Sequence, residues 1–175
     1  MKPSRTDLPR RRLAFAVFTS SLAALAFTTS AHADNAKGTI TYQSKSGPIV
    51  VNVKNVYLVK GPDMMAGKAI RRLVFSSADM GPKIGACTAM SCADGDLREG
   101  MTVDLDTGPR LNYWFVGNDQ RVQYSGSARP EVLKFTTDTP QRVAGKLTID
   151  DASAGGAKAD IEFDAALVKE FAKAR

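Results

Sequence analysis

The chain has 175 residues, with 24 Lys+Arg, 18 Asp+Glu and a single histidine, His32, for a formal net charge of +6. Five of the cations and one of the acids precede Asp34, so the 142 residues from Asp34 onward carry 19 cations against 17 anions, a net charge of +2. That remainder is long enough for one core, and its interspersed signs lack the basic footprint that nucleic acid or an anionic membrane surface would require.

Residues 1–33 read as a secretory signal peptide. Lys2, Arg5 and Arg10-Arg11-Arg12 form a basic start, Leu13 to Phe27 is mostly apolar, and Ala31-His32-Ala33 supplies the small-x-small cleavage pattern. Leu13-Ala14-Phe15 after Arg11-Arg12 is a poor match to a twin-arginine export signal, so the ordinary secretory route is expected. The predicted mature protein starts at Asp34 and contains no histidine. It carries no further apolar run of transmembrane length, and no cysteine follows the cleavage site for lipid attachment. A single exported domain, residues 34–175, is expected in a bacterial periplasm or, beyond it, secreted, with no membrane anchor.

Beyond the leader, β-branched and aromatic residues recur at period two between turn signals. Strands are predicted at Gly38–Gln43, Ile49–Val59, Ile70–Phe75, Met101–Leu105, Leu111–Val116, Arg121–Tyr124, Val132–Thr136, Arg142–Ile149 and Ala159–Phe163. In the second strand Ile49, Val51 and Val53 alternate with polar neighbours, and the alternation slips at Asn55-Val56-Tyr57, which predicts a bulge. Residues Ala165 to Ala174 predict a short C-terminal helix with Leu167, Val168 and Phe171 on one face. The fold class is all-β: an antiparallel β-sandwich, with a barrel-like alternative. One long irregular segment, Ser76 to Gly100, interrupts the regular spacing.

Gly38-Thr39-Ile40, the Val53–Asp63 stretch VKNVYLVKGPD, Arg72-Leu73-Val74-Phe75-Ser76 and the closing Gly145-Lys146-Leu147 and Phe163-Asp164-Ala165 segments resemble a loose group of exported bacterial β-sandwich proteins. Members of that group open with a Gly-Thr strand, carry a Val-x-x-x-Tyr strand and end with a Gly-x-Leu strand paired to a Phe-containing one. The group has no established activity, so the resemblance implies a fold and no chemistry.

Loss of His32 with the leader removes Ser-His-Asp and Cys-His nucleophiles, imidazole zinc sites and the blue-copper ligand set. Cys87 and Cys92, an even pair in an oxidising compartment, predict a disulfide. Four residues separate them, whereas a redox pair favours two. The closed ring is small, and the chain-entropy model assigns it about 2 kcal/mol, so its expected role is to pin the long segment locally.

Three sets of residues remain as candidates. Met80, Met90, Asp94, Asp96, Arg98 and Glu99 form a candidate binding loop, because long ordered loops on a rigid scaffold are often functional. Five methionines, Met64, Met65, Met80, Met90 and Met101, share one window and could supply soft thioether ligands to Cu(I), although methionine is also an ordinary filler of irregular cores. Asp94, Asp96 and Glu99 could serve a carboxylate hydrolase or begin a calcium loop, but Arg98 stands where a further oxygen ligand is expected. Trp114, the one tryptophan, is expected in the core.

The expected function is therefore a non-catalytic exported module, without a cofactor, that binds a protein partner or small-molecule ligand through residues 76–100. A periplasmic Cu(I)-binding protein is the alternative and a carboxylate-dependent hydrolase the third option. The chain is expected to be a monomer or weak dimer.

Overall fold

The computed structural model describes residues 34–64 and 67–175. The predicted leader, with His32, lies outside the described residues, as does Met65. The described residues form nine strands: β1 (Asp34–Ser44), β2 (Gly47–Pro62), β3 (Ala69–Ser76), β4 (Gly100–Asp104), β5 (Leu111–Gly117), β6 (Val122–Ala128), β7 (Leu133–Asp138), β8 (Arg142–Asp150) and β9 (Ala157–Glu170). One short helix, α1 (Gly81–Ala86), and a 3₁₀ turn (Cys92–Asp96) lie between β3 and β4. No helix among the described residues is long and apolar enough to cross a membrane.

The strands form one continuous sheet in the order β6-β5-β4-β3-β2-β1-β9-β8-β7, curled into a half-barrel. Adjacent strands are antiparallel, except toward the end of β2 past Val56, the partner of Asp34. Beyond that point β2 and β9 meet directly and run parallel, pairing Leu58 with Leu167, Val59 with Lys169 and Lys60 with Glu170. The slip in β2 is a change of side-chain parity. Val51 and Val53 point into the concavity and so do Val56 and Leu58, with one residue too many between them. The opposite strand shifts register at the same place, between Asn35 and Gly38.

Residues 165–174, expected as a helix, instead extend β9 to Glu170. Ala165 and Ala166 pair with Val143 and Arg142 on β8, and the Leu167 N–H donates to Gln141 O at 2.7 Å. Backbone groups satisfied by neighbouring strands leave nothing to be gained by local helical bonding. Leu167 then packs against the concave core and Val168 against the opposite face, as consecutive strand residues must.

The main core fills the concavity with Ile40, Leu58, Leu73, Phe75, Met101, Phe115, Leu147 and Ile161. A second apolar cluster lies on the convex face of β2, β3 and β5: Tyr57, Val59, Ile70, Val74 and Val116, covered by Met80, Ile84, Met90, Leu97 and Phe171. Two covered faces explain why Val56 to Val59 and Leu73 to Phe75 are continuous apolar runs rather than alternating ones. Each large side chain so buried contributes about 1.5–3 kcal/mol, which makes the 76–100 segment a packed cap on the sheet.

Candidate binding recess beside the cap

The cap is fastened on all sides. Cys87 and Cys92 form the expected disulfide, with 5.5 Å between their Cα atoms. The buried Tyr57 hydroxyl on β2 donates to Asp79 Oδ1 at 2.5 Å and accepts from the Met80 N–H at 2.8 Å. Burial, followed by the bond to the Asp79 carboxylate, pushes the Tyr57 phenol up to about 12. From β9, Lys169 Nζ donates to Gly85 O and Cys87 O, both at 2.6 Å. The chain after β9 adds Lys173 O and Ala174 O as acceptors for the Met90 and Ser91 N–H groups, at 3.0 and 3.1 Å.

The far end of the cap is held by the β5–β6 turn. Asn118, Asp119 and Gln120 all have left-handed backbones, with φ of 52°, 55° and 65°. Such a conformation is unfavourable for a residue with a Cβ, least so for Asn and Asp. Gln120 is compensated: its N–H donates to Arg98 O at 3.2 Å, and its Nε2 donates to Gly95 O at 2.7 Å and Leu97 O at 2.8 Å. The cap then re-enters the sheet through Gly100, with φ of +158°, where a Cβ would stand 2.0 Å from Phe75 O. Only glycine allows β4 that close to β3.

Between this end of the cap and the convex faces of β3 to β6 lies a recess of about 480 Å³. The strand register builds it. One cross-strand row runs Arg72, Asp104, Asn112, Ser127 and the next runs Val74, Thr102, Trp114, Ser125. The first row carries polar side chains to the convex face. The second passes from the apolar cluster under the cap to the half-buried Trp114 and then to the hydroxyl of Ser125.

Arg72 organises the charge. Its Nε and Nη2 donate to the two Asp104 oxygens at 2.5 and 3.1 Å, and its Nη1 donates to both Asp94 oxygens at 3.3 and 3.2 Å. Burial opposes the guanidinium charge, but the bonds and attraction from Asp104 and Asp94 outweigh it and keep Arg72 above its ordinary value. Asp94 is shifted upward, first by burial and then by repulsion from Asp104, with Arg72 only partly offsetting them. The division is physical: Asp104 takes the bidentate fork of the guanidinium, and Asp94 takes the remaining nitrogen at longer range.

Of the candidate loop residues, only Asp94 reaches the recess. Met80 and Met90 are buried under the cap. Asp96 bonds Lys83 at 2.5 Å, so it diverges from Asp94 rather than sharing a cation with it. Arg98 pairs with Asp119 at 3.4 Å on the exposed rim, and Glu99 accepts from Ser77 Oγ at 3.4 Å. The methionines are dispersed. Met101 lies in the concave core, the sheet separates it from Met80 and Met90, and Met64 is exposed on the β2–β3 connection. A soft cation needs thioethers that converge, and the four described ones do not.

Sequence reasoning missed most of the recess. Arg72 was visible only as a cation at the start of a strand, and Trp114, expected in the core, packs half-buried against the convex cluster rather than in the concave one. A usable signal was present in Asn112-Tyr113-Trp114-Phe115. At period two Trp114 shares a face with Asn112, while Tyr113 and Phe115 share the other.

Comparison of the chain with protein-family models, with curated proteins and with solved structures returns no match.

Proposed function

We propose that this protein is an exported, non-catalytic binding module that takes its ligand in the recess between the cap and the convex face of β3 to β6. The observation that carries this reading is Trp114: a large, half-buried aromatic set in a concave surface otherwise lined by polar side chains. Small-molecule sites combine an apolar platform with a few convergent polar groups in this way, in cavities of about 300–1,000 Å³. The leader pattern supports export to a periplasm. The cap serves as the rigid wall of the site, since its two buried methionines and its disulfide hold Asp94 in place.

The carboxylate-hydrolase reading has one point in its favour, the upward shift of Asp94 next to Asp104. Both carboxylates, however, are tied to the same guanidinium, which leaves neither as a free base poised over a water. Charge held in fixed ion pairs suits recognition better than proton transfer. We read the curl of the sheet as an incomplete barrel rather than a sandwich, on the support of an Arg71–Asp138 pair linking β3 to β7. The chain is taken to be a monomer or weak dimer.

The test is amide chemical-shift mapping with a concentrated small-molecule extract of periplasm. Shifts confined to β4, β5, β6 and residues 94–98 support the proposal. A spectrum unchanged there, or changed only on the opposite β7–β8 edge, overturns it.

A further inference from the structure

We infer that the ligand of this recess is a neutral, polyhydroxylated ring, a sugar unit, laid with its C–H face on the Trp114 indole and its hydroxyls on the surrounding polar groups. This rests on the reading of the recess as the binding site and adds the ligand class. Three features of the wall select that class. First, the platform is bordered by polar groups. Trp114, half-buried against the convex cluster, faces the recess within a rim of Thr102, Asn112, Ser125 and Ser127. A wholly apolar ligand would desolvate those polar groups without replacing their hydrogen bonds, which is costly. A sugar ring presents both an apolar face and a polar edge.

Second, the wall mixes donors with acceptors. The carboxylates of Asp94 and Asp104 retain acceptor lone pairs beyond those that Arg72 uses. The Asn112 amide and the Trp114 indole N–H make no hydrogen bond among the described residues. A hydroxyl donates and accepts at once, so a row of hydroxyls can satisfy such a surface in full. Third, the cations of the wall are already engaged. Asp94 and Asp104 share the Arg72 guanidinium, and Arg110 at the Ser127 edge spends its Nε and Nη2 on Ser127, so neither arginine offers an open fork to a carboxylate or phosphate on the ligand. Neutral sugars are accepted, and their uronic acids are disfavoured.

The sugar unit could be free or part of a longer glycan, and the experiment separates the two. Because Trp114 is the one tryptophan of the chain, its fluorescence reports the recess alone. The purified mature protein is titrated with neutral hexoses, with their uronic acids and with neutral oligosaccharides, by fluorescence and in parallel by calorimetry. A saturable emission shift with neutral sugars is expected, with Kd on the order of 1 mM for a single unit in so open a recess. Uronic acids should bind at least tenfold more weakly. Monosaccharide binding as tight as that of the oligosaccharides identifies a free sugar as the ligand, and tighter binding of the longer chains identifies a glycan.

In calorimetry, Trp114→Ala should abolish binding and Trp114→Phe should retain part of it. Asn112→Ala, at an exposed position with no structural role, should weaken binding several-fold while leaving the fold intact. Absence of any response to neutral sugars, equal binding of the uronic acids, or unchanged binding by Asn112→Ala and Trp114→Ala overturns the inference. If sugars fail while periplasmic extract still shifts the recess amides, the sugar assignment falls and the binding-module reading stands. If both fail, both fall.

Discussion

Two aspartates placed near arginines are shifted in opposite directions, although burial pushes both upward. Asp94 is held above its ordinary value by burial and by Asp104, whereas the hydrogen bonds from Arg71 hold Asp106 below its own. The linkage follows from which state binds the proton more tightly. For Asp94 it is the folded state, so its contribution to stability is present below 3.8, the ordinary aspartate value, and is lost as pH rises through the elevated folded value. For Asp106 it is the unfolded chain, so the contribution is present above 3.8 and lost as pH falls through the lowered folded value. Urea midpoints of Asp94→Asn and Asp106→Asn, measured against pH, should therefore diverge. Relative to the parent, Asp94→Asn should gain stability as pH rises above 3.8, whereas Asp106→Asn should lose it as pH rises toward 3.8 from below and then run level with the parent. Parallel curves would contradict the environments described for both carboxylates.

At the scale of elements, the cap is the part that depends least on backbone ladders and most on side-chain fastenings. Replacing Cys87 and Cys92 by serine removes a short cross-link, with an expected loss of about 2 kcal/mol. The loss should be local. Hydrogen exchange should quicken in α1 and across residues 87–97, where Met90 and Ser91 lean on the C-terminal segment, and stay unchanged in β8 and β9. Equal acceleration throughout the sheet would mean that the disulfide guards the whole fold rather than the cap. Most strands were legible from period-two alternation because that period is a property of the strand itself. The C-terminal helix was misread for the converse reason. Ala165 to Phe171 satisfy a helical spacing locally, but β8 and β2 offer ladder partners that a helix would leave unused.

Over the whole molecule, closure of the concavity depends on groups far apart in the chain. Arg71 on β3 bonds Asp106 at 2.8 Å and, across the open end, Asp138 of β7 at 2.5 Å, with Thr139 O as a further acceptor at 3.2 Å. At the other end the Tyr113 hydroxyl of β5 donates to Asp151 in the β8–β9 connection. The curl brings β7 close against β8 where the register shifts after Phe135; there Gly145 has φ of +156°, and a Cβ would stand 2.1 Å from Lys134 O. Arg71→Ala should lower stability by about 1 kcal/mol, since its carboxylate partners are partly solvated, and should raise hydrogen exchange at β7 and the β7–β8 turn while β4 to β6 keep theirs. A loss confined to β3 and β4 would show that the link to β7 does not hold the sheet curled.

Strand periodicity, the parity slip in β2 and the cysteine pair were written in the sequence, because alternation, turn residues and cysteine spacing act over a few neighbouring residues. The expected single core was only half of the arrangement, since period two identifies a face but not what will cover it. Tertiary structure decided that the cap covers the convex side, which made Met80 and Met90 core residues and left Met101 on the other side of the sheet. It also decided the recess. Arg72 meets Asp94 and Asp104 across separations of 22 and 32 residues, and Trp114 joins them through the register of β4 on β5. Such encounters depend on which strands pair and at what offset, a choice made by burial over the whole sheet rather than by any local run of residues.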